Sequence, residues 1–162
     1  MITDFKIMPS HARVWIYQSV SPLAPIQVDI IRQKLNSFID SWESHGEKIL
    51  GSWNILHDHF IVITVDEDAK SASGCSIDKS VNVIKEIEDQ LGISLTDRSL
   101  IPVNNKNNLT FIKFNEIKKQ ISAGSINEDS LVFNNNVTSL KELNEQWILP
   151  SRKSWISKFF NN

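Results

Sequence analysis

FIVITV, at residues 60–65, is an almost wholly apolar run, and RVWIYQS, at residues 13–19, is rich in β-branched and aromatic side chains. Both compositions are typical of β-strands. A strand with one face in water alternates apolar and polar residues, and neither of these two runs alternates. We therefore expect the sheet that contains them to be buried on both faces, by the C-terminal third of the chain or by a partner subunit.

Further strands and helices are predicted around these two runs. Pro25 stands where a helix begins, and the apolar residues that follow it recur at steps of three and four. His45-Gly46 is expected to end this helix, and Gly92 is expected to end a second one. The other predicted elements are strands at residues 52–57 and 100–103 and the second helix at residues 77–91.

The predicted order is strand, helix, strand, strand, helix, strand, which is the ferredoxin-like βαββαβ pattern of an α+β protein. Its sheet order, 4-1-3-2, makes the first and third strands central, as their apolar sequences require. An Asn-rich stretch at residues 104–108 indicates a boundary. We expect a ferredoxin-like core at residues 1–103 and, at residues 104–162, a C-terminal αβ extension whose basic, aromatic tail packs on the core.

The composition excludes several classes of protein. The 162 residues include 17 basic and 19 acidic side chains, so the chain is not a strongly basic nucleic-acid binder. The single cysteine, Cys75, excludes an intrachain disulfide and any zinc site that needs two cysteines. Because no membrane span or secretory signal is recognised, we expect a cytoplasmic protein with neither a nucleic-acid nor a membrane partner.

The segment Gly74–Ser80 is the strongest candidate for chemistry, because it follows an apolar strand and opens a helix, where backbone N–H groups attract anions. The candidate anion-binding residues are Gly74, Cys75, Ser76, Lys79 and Ser80. Cys75 is also a candidate nucleophile, because the start of a helix lowers the pKa of a thiol. The topology makes His11 or His45 its possible neighbour. No catalytic residue is assigned, since no base and orienting group complete the constellation.

Other motifs are incomplete. Lys79-Ser80 invites comparison with a phosphate-binding P-loop, but Ser73 and Asp78 occupy the two positions where that motif requires glycine. Three consecutive acids at residues 66–68 can bind a hard cation, although they lack the EF-hand spacing. These acids and the pair His57 and His59 are interpreted as solvated loop and turn residues. The sequence therefore predicts no metal site and no cofactor.

Four segments carry a resemblance to a known family: RVWIYQS at residues 13–19, GCSIDKS at 74–80, VFNN at 132–135 and Ser154-Trp155. They resemble the landmarks of a family of short uncharacterised bacterial cytoplasmic proteins, some of which carry the label "ABC transporter ATPase". The resemblance implies a cytoplasmic chain with no catalytic residues to carry over. The sequence itself gives the ATPase label no support, because it lacks both an intact P-loop and the Ser-Gly-Gly-Gln signature.

Residues 116–133 are similar to the helical end of GYF-like peptide-binding modules, although the Gly-Tyr-Phe residues are absent. This second similarity implies a small interaction module. The sequence favours a non-catalytic binding or self-association protein, with a protein partner or a second copy of the chain as ligand. The alternative is a thiol-dependent or anion-binding enzyme that uses the Gly74–Ser80 turn.

Overall fold

The computed structural model describes residues 1–161 and has a mixed α+β fold. The chain forms two compact units. The first comprises Met1–Thr96 together with Thr138–Lys141, and the second comprises Asp97–Val137 and the residues from Glu142 onward. The strand predicted at residues 100–103 therefore belongs to the second unit and not to the core that was expected to end there. No helix within residues 1–161 is both long and apolar enough to cross a bilayer.

The first unit contains a three-stranded antiparallel sheet, a small two-stranded ribbon and two helices. Its elements are β1 (Arg13–Gln18), α1 (Pro25–Ser41), β2 (Glu43–Ser44), β3 (Glu47–Lys48), β4 (Leu50–Leu56), β5 (Phe60–Asp66) and α2 (Gly74–Leu91). The sheet order is β1-β5-β4, and β2 pairs with β3 in the ribbon. Buried residues of both helices and of β5 form one apolar core, with Leu35, Ile63 and Ile87 as representatives. This core holds the two helices over one face of the sheet.

Both faces of β5 are inaccessible to solvent. Phe60, Val62 and Thr64 on one face and Ile61, Ile63 and Val65 on the other are all 0% exposed. Successive side chains of a strand point to opposite faces, so β5 is covered on each side by residues of this one chain. The expectation of burial on both faces is confirmed for this central strand, whereas β1 and β4 also carry partly exposed residues.

The second unit contains a four-stranded antiparallel sheet. The elements from residue 97 onward are β6 (Leu100–Asn105), β7 (Asn108–Lys113), α3 (Ile117–Ser122), β8 (Leu131–Phe133), α4 (Leu140–Gln146) and β9 (Ile148–Pro150). The strand order is β7-β6-β8-β9. Val103, Ile117 and Val132 lie in the core of this unit. Ile156, from the 3₁₀ helix Trp155–Asn161, lies in the same core, so the aromatic C-terminal segment packs within its own unit.

The predicted ferredoxin-like sheet order 4-1-3-2 is wrong, because the fourth strand pairs elsewhere. The order β1-β5-β4 matches its 1-3-2 part, but β6 pairs with β7 and β8. The outer edge of β1, which the fourth strand would occupy, is bonded by residues 138–141. The Val14 N–H donates to the Thr138 carbonyl oxygen at 3.0 Å, and the Leu140 N–H donates to the Ala12 carbonyl oxygen at 2.9 Å. This short segment leaves β1 no room for a fourth strand there.

Two predicted breaks in the chain are tight turns. α1 ends at Ser41, and His45 and Gly46, with φ of 52° and 78°, form the turn of the β2–β3 ribbon. The Asn-rich stretch at residues 104–108 is not a domain boundary, since Asn105 pairs with Asn108 across a two-residue turn. In that turn Lys106 and Asn107 have positive φ, which Asn tolerates well. Gly92 ends α2 with φ of 64°, as predicted.

Candidate functional site

The first turn of α2 uses its own serine side chains. Ser73 is the N-cap, and its hydroxyl accepts a hydrogen bond from the Ser76 N–H at 3.2 Å. The Ser76 hydroxyl donates to the Ser73 carbonyl oxygen at 2.8 Å, and the Ser80 hydroxyl donates to the Ile77 carbonyl oxygen at 2.6 Å. Both of these donor residues are buried. Of the predicted anion-binding residues, Ser76 and Ser80 are therefore turned into the helix.

Gly74, Cys75 and Lys79 are the exposed members of the predicted site. The topology suggested two histidines, His11 and His45, as neighbours of Cys75. The structure gives one of them a different partner and places the other in a turn. His11 Nε2 lies 2.8 Å from an oxygen of Asp68, and His45 lies in the turn of the β2–β3 ribbon. At the start of α2, the structure therefore places the exposed Cys75 thiol one helical turn before Lys79.

The loop that follows β5 meets the edge of the sheet where these histidines were expected. Arg13 Nη1 lies 3.7 Å from Glu67 Oε1, and Lys70 Nζ lies 3.3 Å from Glu47 Oε2. A cavity of about 400 Å³ separates this loop from the β2–β3 ribbon, and its lining includes His45 and Ser73 but not Cys75. The loop therefore brings imidazole, carboxylate and ammonium groups together at one edge of the first unit.

A larger cavity, of about 760 Å³, runs between the outer faces of α1 and α2. Its walls are mostly polar, with Phe38 as a partly buried apolar residue. Lys34 Nζ on α1 lies 3.6 Å from Glu86 Oε2 on α2, so an ion pair spans the cavity. One positive and one negative charge of its walls therefore pair with each other.

Three aromatic rings form a surface on the second unit. Phe114, directly after β7, is 56% exposed. Its ring is stacked on that of Trp155, with centroids 5.7 Å apart and an interplanar angle of 7°. Phe159 meets both rings edge-on, with each centroid distance 6.3 Å. We name Phe114, Trp155 and Phe159 the aromatic cluster.

Polar groups surround the aromatic cluster. Phe114 and Trp155 line a cavity of about 370 Å³ together with Ile101, Asn134 and Asn136. The ammonium groups of Lys118 and Lys158 lie 5.5 Å and 5.2 Å from the centre of the Phe159 ring, within the range of cation–π contact. The arrangement offers flat rings, two side-chain amides and positive charge on one surface.

Sequence reasoning missed this surface. Phe114 and Trp155 lie far apart in the sequence, and no local pattern joins them. The signal that could have found the cluster is the combination of aromatic and basic residues at 151–160. Such a segment favours a surface role over a purely buried one.

The hairpin between β4 and β5 corrects one further interpretation. His57 and Asp58 both have positive φ and form its tight turn. His59, however, is buried, and its Nδ1–H donates to the Ser19 carbonyl oxygen at 2.8 Å. The interpretation of His59 as a solvated turn residue is therefore wrong, because its imidazole ties the hairpin to the end of β1.

Comparisons with known proteins give this chain no relatives. No family model matches it, and neither a curated protein nor a solved structure matches it. The resemblance to the short bacterial family therefore stays a prediction made from the residues.

Proposed function

We propose that the protein is a non-catalytic binding protein and that the aromatic cluster is its recognition surface. The observation that carries the proposal is the Phe114 ring, which is 56% exposed although it stacks flat against Trp155. Contiguous apolar surface that stays in contact with water often marks an interaction site. Stacking also holds the exposed ring in one orientation, which lowers the entropy lost when a ligand packs on it.

The ligand that fits this surface is an extended, acidic, proline-containing segment of a partner protein. Aromatic-lined grooves bind polyproline II segments, which keep their extended shape before binding. The side-chain amides of Asn134 and Asn136 line the same cavity and can exchange hydrogen bonds with a peptide backbone. Lys118 and Lys158 place positive charge beside the rings, which favours carboxylates on the ligand.

The start of α2 supports a binding role over an enzymatic one. The hydroxyls of Ser76 and Ser80 are bonded to carbonyl oxygens of their own helix. The Ser73 hydroxyl occupies the position at which an anion would accept a hydrogen bond from the Ser76 N–H. An anion would have to displace this cap before it could use the helix start.

In the experiment, the protein is titrated with synthetic acidic peptides that contain paired prolines, and binding is monitored by tryptophan fluorescence. We expect saturable binding by the wild type and a loss of affinity of about tenfold or more in Phe114→Ala, because buried aromatic anchors carry most binding energy. Matched peptides with Ala in place of Pro, or Lys in place of Glu, should bind less tightly. Ile26→Ala, which removes another exposed apolar side chain, is the control and should bind as the wild type does.

Two outcomes would contradict this proposal. One is an absence of binding for every acidic proline-containing peptide at millimolar concentration. The other is a concentration-dependent dimer, measured by light scattering, that Phe114→Ala converts to a monomer. The second outcome would make another copy of the chain the ligand of the aromatic cluster.

The alternative is a thiol-dependent enzyme, which the exposure of Cys75 favours. Lys79 follows it by one helical turn and supplies a cation on the same helix face. Iodoacetamide labelling as a function of pH separates the two candidates, with Cys75→Ser as the blank. Rapid labelling below about pH 7 would favour the enzyme, because an ordinary thiol titrates near pH 8.5.

The ATPase label of the resembling family has no support in the residues of the P-loop positions, and it makes a separate prediction. Nucleotide that binds only the folded protein must raise its melting temperature. Because Ser73 and Asp78 replace the glycines of the P-loop, we expect no shift with millimolar Mg-ATP. A reproducible rise in the melting temperature would contradict this expectation and would favour nucleotide binding.

A further inference from the structure

An imidazole and two carboxylates from distant parts of the sequence meet at one edge of the first unit. His11 lies just before β1, Asp66 is the last residue of β5, and Asp68 follows in the loop. His11 Nε2 lies 2.8 Å from Asp68 Oδ1 and 3.9 Å from Asp66 Oδ1. One potential ligand atom from each of the three residues lies within 4.8 Å of the other two.

These separations are close to those between ligands of one metal ion, and small rotations of the exposed side chains of His11 and Asp68 can adjust them. Zinc ligands lie about 2.0–2.2 Å from the ion, so two of them are separated by about 3 Å to 3.5 Å at octahedral to tetrahedral angles. The two distances from His11 bracket that range. We propose that His11, Asp66 and Asp68 bind one divalent first-row transition ion such as Zn²⁺. An imidazole nitrogen among the donors favours these ions over Mg²⁺ and Ca²⁺, which prefer oxygen alone.

The charges around the three residues favour a cation. Arg13 pairs with Glu67, and Lys70 pairs with Glu47. Among the described residues, the ion pairs of Asp66 and Asp68 are made with His11. Two carboxylates therefore converge on one imidazole, and a divalent ion would neutralise them. Its binding releases any proton that Nε2 carries to solvent, since the ligand must be the unprotonated nitrogen.

Asp68 is open to solvent on its other side. It lines the cavity of about 400 Å³ described above, and its side chain is 67% exposed. An ion held by the three side chains would keep coordination positions for water, because three protein ligands do not fill its coordination shell.

The test uses the full chain after treatment with a chelator, titrated with Zn²⁺ by calorimetry and with Co²⁺ by absorption. We expect one ion per chain and ligand-field bands with Co²⁺. His11→Ala and Asp68→Asn should each weaken binding by about 100-fold or more, since losing even an outer-shell partner costs 10–100-fold. His57→Ala removes an exposed histidine elsewhere in the same unit and should leave the affinity unchanged.

The site variants should fold, because the side chains of His11 and Asp68 are 58% and 67% exposed. Zn²⁺ should raise the melting temperature of the wild type and not that of His11→Ala. The proposal is overturned if no stoichiometric ion binds, or if His57→Ala weakens binding as much as His11→Ala does. Phe114→Ala serves as a second control, since this site does not depend on the aromatic cluster.

Discussion

The indole Nε1–H of Trp42 donates a buried hydrogen bond to the carbonyl oxygen of Ser76, with the two atoms 2.9 Å apart. Trp42 directly follows α1, and Ser76 lies in the first turn of α2, so the bond joins the end of one helix to the start of the other. The same indole packs close to β4 at Gly51, where a Cβ atom would lie 3.4 Å from Trp42 Cε3 and 3.2 Å from Ile39 Cγ2. Glycine thus lets α1 approach the strand.

Trp42→Phe should therefore destabilise the protein. It removes the indole donor and leaves a smaller ring in a buried site, so we expect a loss of about 2 kcal/mol or more in the free energy of unfolding. Trp53→Phe is the matched control, because its Nε1–H donates to Asn36 Oδ1 in an exposed position. Urea unfolding measures both, and equal losses would contradict a special role for the Trp42–Ser76 bond.

Ser73→Ala should shorten or fray α2. The substitution removes the hydroxyl that accepts the Ser76 N–H, and loss of such a cap costs about 1 kcal/mol. Ser73→Asp keeps an acceptor at the N-cap and should retain most of the stability. Thermal unfolding measures the three proteins, with the exposed Ser71→Ala as a control. If Ser73→Ala and Ser71→Ala proved equally stable, the capping role would be refuted.

The Ser99 hydroxyl, followed by the Ser99 backbone N–H, lowers the pKa of Asp97 below its ordinary value of 3.8. A carboxyl whose pKa is lower in the folded state stabilises that state above its unfolded pKa and loses this effect as the pH falls through the folded pKa. Ser99→Ala should raise the pKa of Asp97 in a carboxyl ¹³C titration by NMR. Any stability difference from the wild type should then appear above about pH 4 and vanish in stronger acid. Ser94→Ala should leave the titration of Asp97 unchanged.

Ile156 and Phe114 should respond oppositely to truncation. Ile156 is 0% exposed in the core of the second unit, so Ile156→Ala should cost about 2–5 kcal/mol of unfolding free energy. Phe114 is largely exposed, and Phe114→Ala should cost clearly less. Denaturant titration decides between them. A loss at Phe114 as large as that at Ile156 would mean that its ring serves the fold and not a ligand.

Local signals in the sequence located most elements. The apolar run at residues 60–65 is a fully buried strand, and Gly92 ends α2 because its left-handed backbone suits glycine. Pro25 begins α1, where its missing N–H leaves no bond unmade. These predictions succeeded because each depends on residues close together in the chain.

Pairing between distant segments could not be predicted. The pattern at residues 100–103 indicates a strand but does not say which strand it joins, and β6 pairs with β7 and β8 instead of β1. The segment that bonds the outer edge of β1, Thr138–Lys141, carries no strand pattern of its own. Asn-rich sequence is typical of both linkers and tight turns, so it could not distinguish a boundary from a hairpin. In the structure, Lys106 and Asn107 form a tight turn.

The candidate sites show the same limit. The exposed Cys75 at the start of α2 followed from local sequence. The contact between His11 and Asp68 joins residues 57 positions apart, and Phe114 stacks on a residue far along the chain. Such juxtapositions arise from the tertiary fold, so no spacing rule could have revealed them.

Thr138–Lys141 belongs to the first unit although it follows most of the second unit in the sequence. Cleavage at a single position therefore cannot separate the two units without removing residues from one of them. A fragment that stops at Thr96 would lack the residues that bond the Val14 N–H and the Ala12 carbonyl oxygen. Unpaired strand edges recruit strands from other molecules. We expect cleavage or truncation after Thr96 to expose the outer edge of β1 and to cause aggregation. In the intact chain, residues 138–141 cover this edge and prevent such association.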